Sequence, residues 1–144
     1  MIDRAAISAL IPHADRMCLL DRVTAWDQRT IHCIATSHRD PANPLVEDGW
    51  LGAACGVEYA AQAMAVHGGL IAAVGAQPRV GYLASLRAVV FEVPRLDDLE
   101  GELVIVAECL AGEADRMIYR FEVRAAGRSV LHGRAAVVLD GGNP

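Results

Sequence analysis

The residues with chemistry to offer gather in one stretch of the chain. Glu58 and Gln62 stand four positions apart in GVEYAAQA, so a helix there presents both on one face. A carboxylate in an apolar setting is costly unless it is paired or protonated, and such groups often carry proton-transfer chemistry. Two readings of Glu58 follow. It is either a solvent-touching side chain near a helix start, where the dipole favours it, or a catalytic carboxylate lining a pocket. Gln62 has its own ordinary reading, an amide that bridges helix to sheet.

Five histidines are the candidate bases: His13, His32, His38, His67 and His132. His13 lies beside a turn and reads either as a base or as a turn histidine. His38 sits in a long loop, 20 residues before Glu58. His67 comes nine positions after Glu58, about 180° around a helix, so it is expected to face away near the helix C-terminus. His32 and His132 fall in strands as ordinary sheet residues. No histidine pair has metal-ligand spacing, and no metal or cofactor is expected. Cys18, Cys33, Cys55 and Cys109 match no zinc or redox motif and read as reduced thiols of a cytoplasmic protein.

The elements that must position these residues are legible from periodicity. Asp3 can cap a short helix over residues 4–9, and Pro12 forces a turn. Residues 17–26 and 30–36 read as strands joined at Asp27-Gln28-Arg29. An irregular stretch, SHRDPANPLVEDG, holds Pro41 and Pro44 and leads to Trp50. From 51 to 67 most residues are small: Gly52, Ala53, Ala54, Cys55, Gly56, Ala60, Ala61, Ala63 and Ala65. A helix apolar all round is a buried one, so a sheet is expected to wrap around it. After Gly75 the period changes to two. Strands are expected over 79–93, 103–110, 117–124 and 129–139, the successive ones as antiparallel neighbours. The expectation is an α+β fold, residues 1–144 forming one domain: a curved antiparallel sheet around one long central helix.

Composition narrows the function classes. The chain has 144 residues, 53% of them hydrophobic, with a net charge of −5 from 18 acidic and 13 basic residues. Its mean hydropathy is +0.28. All the basic residues are arginines and form no run, which argues against a nucleic-acid binder and against a polybasic membrane surface. Residues 51–74 are apolar enough to raise a membrane span, but Glu58, Gln62 and His67 argue against it, and Gly68-Gly69 is expected to break the helix before a span of about 20 residues is complete. No signal peptide is expected from MIDRAAISAL.

Three segments, in order, resemble one family. IPHADRMCLLDRV at 11–23, GVEYAAQA at 56–63 and LRAVVFEVPRLDDLEGEL at 86–103 are similar to the opening, the helix and the strand-turn-strand of FabZ/FabA-like 3-hydroxyacyl-ACP dehydratases. Within that family the chain most resembles the predicted dehydratases of aryl-polyene pigment biosynthesis, the ApeP-like subgroup. The resemblance implies a hot-dog fold that pairs edge to edge into homodimers or heterodimers. It implies an acyl thioester, on acyl carrier protein or coenzyme A, lying between two central helices and losing water to give a trans-2-enoyl product. By the same resemblance Glu58 is the helix carboxylate and Gln62 a substrate-side amide. Gly52 and Ala53 would bring the N–H groups that polarise the thioester carbonyl.

The chain also departs from that pattern. The family's catalytic histidine position is Pro44 here, 14 residues before Glu58. Glu92 and Val93 replace an Arg-Arg pair that docks the acidic carrier. His13 then becomes the leading candidate base. Arg79, Arg87 and Arg95 are read as phosphate or carrier contacts, or as solvated surface charges. Two other functions stay open: an acyl-thioesterase on the same fold, and a non-catalytic subunit that pairs with an active dehydratase.

Overall fold

A computed structural model describes residues 2–11, 17–75, 81–112 and 115–139. His13, Pro12 and Arg79 lie outside the described residues. The order is β1 (Ile2–Asp3), α1 (Arg4–Leu10), β2 (Arg22–Trp26), β3 (Thr30–Ala35), α2 (Gly56–Gly75), β4 (Gly81–Phe91), β5 (Leu103–Gly112), β6 (Arg116–Ala125) and β7 (Arg128–Leu139). Short 3-10 turns at Ser37–Arg39 and Ala53–Cys55 lie between β3 and α2.

Local chemistry accounts for the turns. The Asp3 carboxylate accepts from the Ala6 N–H at 3.0 Å and starts α1. Asp27 Oδ1 takes the N–H groups of Arg29 and Thr30, both at 2.8 Å, and closes the β2–β3 hairpin. Those bonds hold its carboxyl below the usual value. Ala126 and Gly127 both have positive φ (51° and 76°), the geometry of a two-residue turn that matches strand twist.

The strands form one antiparallel sheet in the order β1-β2-β3-β5-β6-β7-β4. This corrects one expectation. β5, β6 and β7 are neighbours as expected, but β4 does not pair with β5. The 92–102 connection is too long for a hairpin and carries the chain from one edge to the middle, so β4 pairs with β7 and β3 with β5. The inner face buries Ile105 and Ala107 of β5, Tyr119, Phe121 and Val123 of β6, and Leu131, Ala135 and Val137 of β7. Tyr59, Ala60, Ala63, Met64 and Val66 of α2 pack against them. At Gly56 a Cβ would overlap Leu131, so the helix start approaches the sheet with no room for a side chain.

Two further expectations about α2 are corrected. Gly68-Gly69 does not end it: the helix runs 20 residues. Gly69 is buried instead, where a Cβ would stand 3.4 Å from Leu10 of α1. Tertiary packing against α1 outweighs the poor helix propensity of glycine. Nor is the helix buried all round. Glu58, Ala61, Ala65 and Gly68 fall on one stripe and remain half-exposed. Among the described residues no helix is long and apolar enough to cross a membrane.

Candidate active site

Glu58 occupies the first turn of α2, on the half-exposed stripe. One turn further, Gln62 is fully buried. Its Nε2 donates to the Met17 carbonyl at 2.6 Å, and its Oε1 accepts the Leu19 N–H at 2.9 Å. Both ends of the amide are therefore used by one stretch of backbone. That stretch begins four residues after His13, so Gln62 fastens the segment leading out of His13 to the helix that carries Glu58.

A second tether lies beside it. The Asn43 amide donates to the Tyr59 hydroxyl (3.1 Å). The Tyr59 hydroxyl donates to Ser37 Oγ (2.7 Å), which donates to the Leu19 carbonyl (2.8 Å). The direction of these bonds follows from Ser37, whose single proton goes to a carbonyl. Burial holds the Tyr59 phenol above its ordinary value. The irregular 37–49 stretch is thereby packed onto α2. Sequence reasoning saw the loop but not Asn43, whose burial no local pattern marks.

The start of α2 is fixed from a third side. The Leu51 N–H donates to Asp97 Oδ1 at 2.9 Å, the Leu96 N–H to the Leu51 carbonyl at 2.7 Å, and the Ala53 N–H to the Pro94 carbonyl at 3.1 Å. Arg95 grips Asp97 through two nitrogens and lies 3.6 Å from the Trp50 ring centroid. The guanidinium and the Leu51 N–H hold the Asp97 carboxyl far below its ordinary range. Arg95 is thus a clamp on this turn rather than a free surface cation. Of the two expected carbonyl donors, Ala53 has its N–H committed to Pro94. Gly52 faces open space on its missing side chain.

The other histidines sit elsewhere. His67 is not near the helix end; it is mid-helix and fully buried. Its Nε2–H donates to the Asp27 carbonyl at 2.8 Å, so its Nδ1 accepts the Tyr119 hydroxyl at 2.6 Å. Burial holds it neutral, with its pKa below the usual value. His38 is buried under the 92–102 connection, with Nε2 on the Leu99 carbonyl at 3.1 Å and no partner at Nδ1. Burial lowers its pKa as well. His32 and His132 are half-exposed strand residues. All four cysteines are free thiols, and burial pushes Cys33 up to about 12. Among the described residues no group of three His, Cys, Asp or Glu is placed to hold a metal ion.

Comparison with known proteins gives this arrangement a family. The ApeP-like family model, described as ApeP dehydratase, matches residues 5–140. The chain belongs to the ApeP-like family. A similar solved structure is the dehydratase heterocomplex ApeI:P from Xenorhabdus doucetiae, at 25% identity and a TM-score of 0.84, covering 93% of this chain and 90% of that one. A thioesterase from Haemophilus influenzae aligns over 97% of this chain and 92% of its own, with a TM-score of 0.68 at 10% identity. An HP0420 homologue from Helicobacter felis aligns over 98% and 89%, with a TM-score of 0.68 at 13% identity. These two likenesses show the fold alone. A comparison with curated protein sequences gives no match. The ApeP-like chain is an α+β hot-dog protein, a large antiparallel sheet with one main helix.

Proposed function

We propose that this ApeP-like chain is a 3-hydroxyacyl-thioester dehydratase that works with a second hot-dog subunit in fatty-acid or polyene-type synthesis. The observation that carries the reading is the placement of Glu58. It stands in the first turn of α2 on a half-exposed stripe with the small residues Ala61, Ala65 and Gly68, along which the acyl chain would lie. Beside it the Gln62 tether holds the backbone that follows His13. In this reading His13 takes the C2 proton and Glu58 protonates the departing 3-hydroxyl, so water leaves and a trans-2-enoyl thioester remains. Gly52 contributes the N–H that polarises the thioester carbonyl, and the Asp97–Arg95 clamp holds that turn in place. The free thiols suit a reducing cytoplasm.

The partner is argued from β4. This eleven-residue strand is an edge of the sheet, and Leu83, Leu86, Val90 and Phe91 on it are exposed. A long apolar edge is covered in a stable protein. A hot-dog subunit joining there, of this chain or of another, would continue the sheet and bring a second helix opposite the stripe. A heterodimer is favoured because Pro44 occupies the family's histidine position, and because the similar structure from Xenorhabdus doucetiae is a heterocomplex. The same two facts support a second reading, in which the chain shapes the tunnel of an active partner without turning over substrate itself.

The test is incubation of the pure chain, alone and mixed with a FabZ-like hot-dog dehydratase from the same genome, with a 3-hydroxyacyl carrier thioester. Mass spectrometry would follow the loss of water. Enoyl product that disappears in both Glu58→Gln and His13→Ala supports the first reading. Product unaffected by either variant supports the second. Release of free thiol without enoyl product would make the protein a thioesterase and overturn both.

A further inference from the structure

The outer face of the sheet, away from α2, carries a feature that dehydration does not use. The strand registers set Arg120 opposite Arg134 and Arg134 opposite Arg87, so three arginines stand side by side across β6, β7 and β4. Like charges directly opposite one another on a sheet destabilise it. Glu108 neutralises Arg120 from β5. Among the described residues, neither Arg87 nor Arg134 has an ion-pair partner, and neither does Arg116 further along β6. The next outward-facing row is Ile118, Ala136 and Ser85, whose mostly small side chains leave a hollow. Arg87 and Arg134 wall it on one side and Arg116 on the other. The result is a concave pocket of about 290 Å³ lined by three unpaired arginines and the Ser85 hydroxyl. It sits in a chain whose net charge is −5.

We propose that this pocket binds a phosphate-bearing small molecule with more than one phosphoryl group. Guanidinium groups hold phosphate oxygens through two parallel N–H donors, and their planar forks prefer phosphate to simple halide ions. Outward rows two residues apart along a strand lie about 7 Å apart, which suits two linked phosphates better than one. A serine hydroxyl on the floor adds a neutral donor. Arg134 also borders the neighbouring groove of about 530 Å³, lined by Val90, Val106, Phe121 and His132 among others. That groove leaves room for a group attached to the phosphates, such as a nucleoside. The shared chemistry is a diphosphate or bisphosphate, and its source is either an inorganic condensed phosphate or a nucleotide.

The experiment is calorimetric titration of the full chain with pyrophosphate and, separately, with adenosine 3′,5′-bisphosphate, at low and moderate salt. Saturable binding that Arg134→Gln weakens by roughly tenfold or more, and Arg87→Gln similarly, is the expected result. Arg134→Lys should fall between, since it keeps charge and loses the fork. Arg128→Gln, at the exposed β6–β7 turn, should leave binding unchanged. Tighter binding of the bisphosphate assigns a nucleotide, and tighter binding of pyrophosphate an inorganic source. No saturable binding, or equal weakening in Arg128→Gln, overturns the proposal. So does binding that is abolished when the hot-dog partner subunit is added, because the arginines would then belong to the subunit interface. Melting curves of each variant separate lost binding from lost folding. None of these outcomes depends on enoyl formation, so the pocket can fail while the dehydratase reading stands, and the reverse.

Discussion

Glu58 and His67 lie nine residues apart on one helix, and the fold treats them in opposite ways. Glu58 sits on the half-exposed stripe and keeps part of its surface open to solvent. His67 has no exposed surface and both ring nitrogens bonded, one to the Tyr119 hydroxyl and one to the Asp27 carbonyl. The His67 pair ties α2 to β6 and to the β2–β3 hairpin, and burial keeps the imidazole neutral. A buried polar group whose bonds are all made fixes geometry. A polar group that keeps part of its surface exposed can meet a substrate. Gln62 stands between these cases, close to Glu58 in sequence yet as buried and as fully bonded as His67.

That contrast can be broken or sharpened in order of expected size. Glu58→Gln should lower dehydratase turnover about 100- to 10,000-fold while leaving the melting temperature almost unchanged. A large loss of stability would show that Glu58 is architectural after all. His67→Leu should do the reverse, destabilising the chain by about 2 to 4 kcal/mol in denaturant titration, because it strands the Tyr119 hydroxyl and the Asp27 carbonyl. Adding Tyr119→Phe should recover part of that loss, since one stranded group is then removed. Gln62→Leu should cost about 1 to 3 kcal/mol by freeing the Met17–Leu19 backbone. If that tether also positions the segment from His13, turnover of the folded fraction falls too.

The smallest effect is on pH. His67 and His38 both have folded-state values below the ordinary 6.5, chiefly because burial disfavours the charged ring. Protonation therefore favours the unfolded chain. Their contribution to stability is complete above about pH 6.5 and is lost as the pH falls through the folded values. Asp27 and Asp97, held below 3.8, matter only at greater acidity. Melting temperature should thus decline below pH 6.5, and His67→Leu should flatten the slope. An unchanged slope in that variant would leave His38 as its source.

Much of the fold was legible. The Asp3 cap, the Asp27 hairpin, the small-residue helix and the alternation of Tyr119, Phe121 and Val123 with Arg120, Glu122 and Arg124 are local patterns, and local patterns survive folding. The course of β4 was not legible. Period-two alternation names a strand but not its neighbour, and β4 leaves β5 for β7 because the 92–102 connection crosses the end of the sheet. The glycine pair misled for a related reason. Propensity sees only the chain, whereas Gly69 is held in the helix by the proximity of Leu10.

The site divides along the same line. The sequence by itself determined the Glu58 and Gln62 pair on one helical face, because a four-residue spacing is enough to align them. It also determined the amphipathic strands and the absence of a histidine at position 44. Only the tertiary structure decided that Gln62 binds backbone on both sides, that Arg95 is a clamp, and that His67 is locked at mid-helix. It also set three arginines in a row across β6, β7 and β4. The physical reason is that each depends on at least one partner between 40 and 52 residues away in the chain. Burial and hydrogen-bond satisfaction are properties of the packed sheet and helix together, and no spacing along the sequence encodes them.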